Sequence, residues 1–233
     1  MTATGARVPS DVSALERATP GFWLLLGALW IVWAARASVG FRIDLALDPT
    51  YRLAYSSGIK LALWVLPAAA FAWWVRRDSP VRALRLDLPA PRALPLAFVF
   101  PIIYLAGVAW DVARKHGITL AELGAALAQR GTAQFAGGLP SAFAEEALFR
   151  GLVLTELMDR WRFWPANAAS GAIFVSMHWP HRVWRDGFGP GVFADAAPLL
   201  AIALALGFVT WRTGSIWPGV VFHAANNTLS GVL

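Results

Sequence analysis

The sequence predicts an all-α protein, a polytopic bundle of about seven transmembrane helices that surrounds a polar cavity within the membrane. Three observations support this fold class. Hydrophobic residues make up 58% of the 233 residues and charged residues only 15%, whereas soluble domains are about one quarter charged. The mean hydropathy is +0.54. The charged residues lie mostly between long apolar runs, so a soluble fold of this size could not cover its surface with them. We therefore treat residues 1–233 as a single integral membrane domain.

The apolar runs give the positions of the helices in order. A membrane-spanning helix needs roughly 20 residues, and about 17 are tolerated. The predicted helices lie near residues 20–37, 57–76, 93–114, 137–159, 163–180, 190–212 and 215–232. Residues 1–19 form a polar tail without the small-residue cleavage site of a signal peptide. Residues 118–130 predict a short surface helix with Leu120, Leu123 and Leu127 on one stripe.

The distribution of arginine predicts the orientation in the membrane. Five arginines lie between the second and third apolar runs, namely Arg76, Arg77, Arg82, Arg85 and Arg92. Loops rich in Lys and Arg remain in the cytoplasm, so we expect this loop and the amino terminus there. Arg42, Arg52 and Lys60 are assigned to the opposite loop, where they weaken the asymmetry. Seven spans would then leave the carboxyl terminus outside.

Composition also excludes several classes of function. The chain contains no cysteine, which excludes disulfide and thiol chemistry. The net charge of +6 and the pI of about 10.7 come mainly from arginines between apolar runs, which suits the anionic head groups of a lipid bilayer. The sequence contains no basic helix with interleaved aromatic residues, so no nucleic-acid partner is expected.

Two adjacent carboxylates, Glu145 and Glu146, follow the apolar run at 131–144. A charge in the middle of a bilayer costs about 3 kcal/mol or more, so such groups usually face a cavity and have a function. Neighbouring side chains on a helix diverge by about 100°, so only one carboxylate faces a given point. Glu146 and Arg150 have the spacing of an ion pair, which leaves Glu145 as the less compensated carboxylate and candidate general base. For Glu146 and Arg150 alone, an interfacial ion pair is an equal alternative.

Histidines appear in two further apolar runs. His178 closes the run at 163–180, where a single histidine is more often a head-group anchor. His223 and Asn227 are four residues apart and share one face of the last helix, so both can donate hydrogen bonds towards one point. Interhelical hydrogen bonding is the alternative for this pair.

Together these groups form a constellation suited to peptide hydrolysis, which needs a base to activate water and donors to hold the developing oxyanion. We therefore predict an active-site cavity on which Glu145, His178, His223 and Asn227 converge. Asp195 is a further polar residue in an apolar stretch, without a specific role.

Three other interpretations stay open. The two glutamates and two histidines could bind zinc, with one carboxylate left as the base, although the chain has no His-Glu-x-x-His pattern. A membrane scaffold or immunity protein could keep the same residues as interhelical contacts. A transporter is disfavoured, because no repeated half is detected and the polar groups lie in one half of the chain.

Three motifs in this order resemble those of the CAAX-protease and bacteriocin-processing enzyme family, which includes the type II CAAX prenyl endopeptidases. The family patterns are Glu-Glu-x-x-x-Arg, Phe-x-x-x-His and His-x-x-x-Asn. They are matched by Glu145-Glu146-Ala-Leu-Phe-Arg150, Phe174-Val-Ser-Met-His178 and His223-Ala-Ala-Asn-Asn227. The resemblance covers residues 135–233 as the catalytic core, while residues 20–130 match only as membrane spans of unassigned role.

The resemblance implies an intramembrane glutamic-type endopeptidase, a hydrolase that needs no metal and acts on a membrane-embedded or membrane-associated protein or peptide. It implies that Glu145 and His178 activate the water and that His223 and Asn227 form the oxyanion hole. The supporting residues are Glu146 and Arg150, which orient the first glutamate, and Phe174, which packs near the site. We expect a multi-pass protein of a prokaryotic inner membrane.

Overall fold

The computed structural model describes residues 12–193 and 196–231, and this part of the chain is helical without β-strands. Residues 1–11 of the predicted tail and Asp195 lie outside the described residues. The α-helices are α1 Val12–Ala35, α2 Phe41–Ala46, α3 Pro49–Lys60, α4 Leu66–Trp74, α5 Pro80–Ala83, α6 Leu94–His116, α7 Leu120–Ala126, α8 Thr132–Glu146, α9 Leu154–Met158, α10 Phe163–Ser176, α11 Trp179–Asp186, α12 Ala196–Thr213 and α13 Trp217–Gly231. Short π-helical segments at Arg36–Gly40, Leu61–Val65, Leu127–Gly131 and Ala147–Val153 join several of them, and 3-10 turns lie at Pro91–Ala93 and Pro190–Phe193.

Each of the seven predicted helices overlaps an observed one, which confirms the all-α class. Three helical stretches among the described residues are long and apolar enough to cross a membrane, namely Pro20–Ala46, Ala54–Trp74 and Ala196–Thr213. They agree with an integral membrane protein, and the number of seven crossings stays a prediction.

Two predicted helices end differently from the expectation. The helix expected at 163–180 stops at Ser176, and α11 begins at Trp179, because Pro180 lacks an N–H and fits the first turn of a new helix. The surface helix begins as predicted after Thr119, which caps α7 together with the side chain of Glu122. It does not end at residue 130, since a π-helical segment continues it into α8.

Lys60 lies inside a helix, as the helix predicted near residues 57–76 implies, and not in the loop to which the charge distribution assigned it. It is the last residue of α3, and the π-helical segment Leu61–Val65 carries the helix on into α4 without a break. The stretch Ala54–Trp74 that contains it is one of the three candidate membrane spans. Because α3 packs against α8, Lys60 is placed beside the helix that carries the two glutamates.

The arginine-rich loop after α4 folds onto the protein. Arg76 binds the carboxylates of Glu156 and Asp159, the latter at 2.8 Å. Arg85 Nε donates to Thr155 Oγ1 at 2.9 Å. These contacts fasten the loop to the end of α9, so part of its positive charge is neutralised by the protein and not left for lipid head groups.

An aromatic row joins the two halves of the chain in the core. Trp33 of α1 packs edge-on against Trp64, with ring centroids 4.5 Å apart. Trp64 packs against Phe149 at 5.7 Å, and Phe149 packs against Phe174 at 5.1 Å. Trp64, Phe149 and Phe174 are buried, so this row holds the first helices rigidly against the helices that carry the glutamates and histidines.

Close backbone approach positions α12 against α10. The amide of Asn167 donates to the carbonyl oxygen of Leu204 at 2.9 Å. A Cβ on Gly207 would lie 1.9 Å from Asn167 Oδ1, so only glycine fits at that position. This contact holds α12 close enough for the carbonyl oxygen of Ala203 to accept a hydrogen bond from Arg150, in the π-helical segment Ala147–Val153.

Candidate active site

The carboxylates of Glu145 and Glu146 lie at the end of α8, inside the bundle. Their residues are 4% and 0% exposed, so both are withdrawn from solvent. A buried carboxylate needs a charged or hydrogen-bonding partner. Each of the two glutamates has its own set of such partners. The helix continues beyond them as the π-helical segment Ala147–Val153, a departure from α-geometry that is frequent at functional sites.

Glu146 pairs with Arg150, as the sequence predicted. Arg150 Nη1 donates to Glu146 Oε1 at 3.2 Å, and both residues are buried. Arg150 Nη2 also donates to the carbonyl oxygen of Ala203 in α12 at 3.3 Å, and the guanidinium lies over the ring of Phe174 at 4.6 Å from its centroid. Arg150 therefore connects the glutamates to both α12 and α10.

His223 lies between the two glutamates. Its Nδ1 is 2.8 Å from Glu146 Oε1, and its Nε2 is 3.6 Å from Glu145 Oε2. The first contact has hydrogen-bond geometry, while the second is longer than a direct hydrogen bond. The imidazole of α13 thus links both carboxylates of α8.

His178 follows α10 directly and faces the same region. Its Nδ1 lies 2.9 Å from the carbonyl oxygen of Phe174, so the proton resides on Nδ1 and Nε2 is left as an acceptor when the ring is neutral. The Phe174 ring packs against the rings of both His178 and His223, with centroids 4.8 and 6.2 Å apart. Phe174 therefore fixes the positions of the two histidines relative to each other, beside Glu145.

Asn227 lies one turn beyond His223 on α13, and its side chain is exposed. Its Oδ1 accepts a hydrogen bond from Asn226 Nδ2 at 3.4 Å. Among the hydrogen bonds of the described residues, none links Asn227 to the glutamates or to His178. The structure therefore brings together Glu145, Glu146 and the two histidines, and leaves Asn227 at the rim of this group.

Lys60 is the site residue that the sequence interpretation missed. Its Nζ donates to Glu145 Oε1 at 2.5 Å and to Ser141 Oγ at 2.8 Å. The expectation that Glu145 is the less compensated carboxylate is therefore wrong, because a lysine from the first half of the chain reaches it. The signal in the sequence was a lone lysine within an otherwise apolar candidate span. The same contact corrects the statement that the polar groups of the site all lie in one half of the chain, which was used against a transporter.

One oxygen of each glutamate is already bound to protein groups. Glu145 Oε1 accepts from Lys60, and Glu146 Oε1 is shared by Arg150 and His223. Within residues 12–193 and 196–231, no three histidine, aspartate or glutamate side chains are arranged to hold a metal ion. Charge in this site is thus balanced by a lysine and an arginine.

Comparison with known proteins gives a family match for the carboxyl-terminal part of the chain. Residues 132–229 match the family described as type II CAAX prenyl endopeptidase Rce1-like, which confirms the resemblance inferred from the three motifs and supports a membrane protease. Neither the curated proteins nor the solved structures that were compared contain a match to the chain. Residues 132–229, the segment similar to the type II CAAX prenyl endopeptidase Rce1-like family, hold all seven of the predicted site residues.

Proposed function

We propose that this protein is an intramembrane endopeptidase that hydrolyses a peptide bond by attack of a water activated by Glu145. The observation that carries the proposal is the contact of His223 with two buried glutamates, at 2.8 Å from Glu146 and 3.6 Å from Glu145. A buried carboxylate can deprotonate a water, and an imidazole beside it can hold the carbonyl oxygen of the peptide that this water attacks. The family match agrees with this chemistry.

In the proposed reaction, Glu145 Oε2 takes a proton from the water as its oxygen attacks the carbonyl carbon of the peptide. His178, whose Nδ1 proton is directed to the carbonyl oxygen of Phe174, offers Nε2 as a second acceptor for the same water. The carbon–nitrogen bond then breaks, and the proton held by Glu145 passes to the leaving nitrogen. Atoms balance without any further reactant.

The negative charge that develops on the carbonyl oxygen requires hydrogen-bond donors. We assign this role to His223 and Asn227. His223 Nδ1 is held by Glu146, which itself is held by Arg150. The imidazole can then donate from Nε2 to the oxyanion in its imidazolium form, in which both ring nitrogens carry a proton. Asn227 lies at the surface of α13, where a peptide that enters from outside the bundle meets it before the buried glutamates. A rotation of the Asn227 side chain away from Asn226 would direct its amide at the substrate.

The proposed substrate is a protein or peptide that is embedded in the membrane or associated with it. The family description names prenylated CAAX substrates, and these form one class to be tested. The proposed enzyme crosses the membrane several times and resides in a prokaryotic inner membrane. The proposed reaction uses no metal ion, because Lys60 and Arg150 balance the charges of the two carboxylates.

The test of this proposal does not require an identified substrate. Membranes from cells that produce either the wild type or Glu145→Gln are compared for newly formed protein amino termini by mass spectrometry. We expect termini that occur only with the wild type, because the amide keeps the shape of the side chain and cannot accept a proton from water. Identical sets of termini at equal amounts of folded protein would refute the endopeptidase. A scaffold or immunity role would then be the better explanation, because it needs the fold and not the base.

A further inference from the structure

We propose that Lys60 is a positioning residue of this active site: its ammonium group keeps Glu145 ionised and turns the second carboxylate oxygen of Glu145 towards His223. This inference rests on the proposed function and extends it to a residue outside the matched domain, since the family match begins at residue 132. The catalytic site is therefore incomplete without the first half of the chain.

The first argument is the geometry of the ion pair. Lys60 Nζ binds Oε1 of Glu145 at 2.5 Å, while Oε2 of the same carboxylate faces His223 Nε2 at 3.6 Å. One oxygen is therefore held by the lysine, and the other points to the position where a water would be activated. Ser141 accepts a second hydrogen bond from Nζ at 2.8 Å, which fixes the ammonium from the same helix as Glu145.

The second argument is that the surroundings of the ammonium are built to receive a cation. Nζ lies 5.5 Å from the ring centroid of Trp64 and 5.8 Å from that of Trp33, both within the range of cation–π attraction. Trp33 Nε1 donates to the carbonyl oxygen of Met177 at 2.9 Å. Because Met177 directly precedes His178, the indole that borders Lys60 is tied to the segment that carries the second catalytic histidine.

The third argument is charge balance. Glu145 and Glu146 bring two negative charges into the interior, and Lys60 and Arg150 bring two positive ones. Without Lys60, a carboxylate that is only 4% exposed would have no cationic lysine or arginine of its own. Burial favours the protonated form of a carboxyl group, and a protonated Glu145 cannot act as a base. The ammonium thus keeps the base in its working form at neutral pH.

The fourth argument is the matching position of the two residues on their helices. Lys60 is the last residue before the π-helical segment Leu61–Val65, and Glu145 and Glu146 end α8 just before the π-helical segment Ala147–Val153. A π-helical turn widens the helix and changes the direction of the neighbouring side chains. A π-helical segment therefore follows each member of the ion pair, in the region where α3 packs against α8.

The experiment uses the purified full chain in lipid nanodiscs and a farnesylated, internally quenched CAAX peptide as the probe. The groups that act on Glu145 are Lys60 from α3, His223 from α13, His178 after α10, and Arg150 from its own helix. Only Lys60 is varied. We expect Lys60→Met to lower the cleavage rate at pH 7 by about ten-fold or more and to recover as the pH rises, because an unpaired buried carboxyl ionises only at higher pH. Lys60→Arg keeps the positive charge and should retain the wild-type pH profile.

The chain offers a matched control, because it contains just two lysines, Lys60 and Lys115. Lys115 is exposed and pairs with Asp111 on α6, so Lys115→Met should cleave the probe like the wild type. Equal loss of activity by Lys60→Met at every pH would indicate a structural role and overturn the proposal.

A second measurement needs no activity and separates the two proposals. An amine-reactive ester is used to label the protein, and mass spectrometry compares the labelling of Lys60 with that of Lys115. We expect Glu145→Gln to raise the ratio several-fold, since the amine is then released from the ion pair that holds it. An unchanged ratio overturns the role of Lys60, even when the probe is cleaved. If the ratio rises while the wild type and Glu145→Gln give identical sets of protein amino termini, the ion pair of Lys60 stands and the proposed peptidase activity fails.

Discussion

Oε1 of Glu146 is the common partner of Arg150 Nη1, at 3.2 Å, and of His223 Nδ1, at 2.8 Å, so one buried oxygen joins α8 to α13. The other oxygen of Glu146 is buried without a hydrogen-bond partner among the described residues. Glu146 therefore depends on a small number of contacts, and loss of one of them should affect both the fold and the orientation of His223.

The first prediction concerns Arg150. Arg150→Ala leaves the buried carboxylate of Glu146 without its cation, and we expect it to lower the free energy of unfolding by about 3–5 kcal/mol. The measurement is the thermal unfolding midpoint and the yield of folded protein in detergent. Arg114→Ala removes an arginine whose side chain is 64% exposed and serves as the control, with an expected change under about 0.5 kcal/mol. Equal stability of the two variants would contradict the structural role of the buried pair.

The second prediction concerns the close approach of α10 and α12. Gly207→Ala places a Cβ 1.9 Å from Asn167 Oδ1, so we expect a clear loss of stability, of about 1–3 kcal/mol. Gly138→Ala is the matched control, because a Cβ there meets no atom within 4 Å and alanine favours the helix. The measurement is again the unfolding midpoint.

The double variant Gly207→Ala with Asn167→Ala tests the cause of this effect. It removes the side chain that the new Cβ would touch, so it should be more stable than expected from the sum of the two single variants. Simple addition of the two losses would show that the clash is not the reason for the instability.

The sequence predicted those features of the structure that depend on residues close together along the chain. The helices follow from apolar runs, and the pair of Glu146 with Arg150 follows from a spacing of four residues within one helix. Both are local properties. The three motifs place the glutamates and histidines on separate helices but contain no information on which nitrogen of His223 meets which carboxylate.

The pair of Lys60 with Glu145 could not be read from the sequence, because the two residues are 85 positions apart. Their contact depends on the packing of α3 against α8, which no local pattern encodes. The exposure of Asn227 has a similar origin. Its spacing from His223 predicts a shared face of α13, but the neighbours of that face decide whether the side chain is buried.

The third prediction concerns metal dependence. EDTA or phenanthroline should leave cleavage of a peptide by the wild type unchanged, and added zinc should have no effect, because Lys60 and Arg150 already balance the charges of the two carboxylates. The measurement is the cleavage rate before and after dialysis against chelator. Loss of activity that zinc restores would favour the zinc peptidase, which uses nearly the same residues.

The last prediction separates the two proposed oxyanion donors. His223→Ala and Asn227→Ala should each slow turnover by roughly a hundred-fold or more, the usual effect of the loss of one donor. Their effects on stability should differ. His223 is buried and holds Glu146, so its loss should also lower the unfolding midpoint, whereas Asn227 is exposed and its loss should leave the midpoint unchanged.

Asn226→Ala is the control for Asn227, because it removes the neighbour that donates to Asn227 Oδ1 and frees that side chain to turn to the substrate. It should keep at least the wild-type turnover rate, measured as kcat on a peptide that the wild type cleaves. If Asn227→Ala were as active as Asn226→Ala, Asn227 would have no part in the oxyanion hole. His223 would then be the protein donor that holds the developing charge on the carbonyl oxygen. The side chain of Asn227 would stay exposed throughout the reaction.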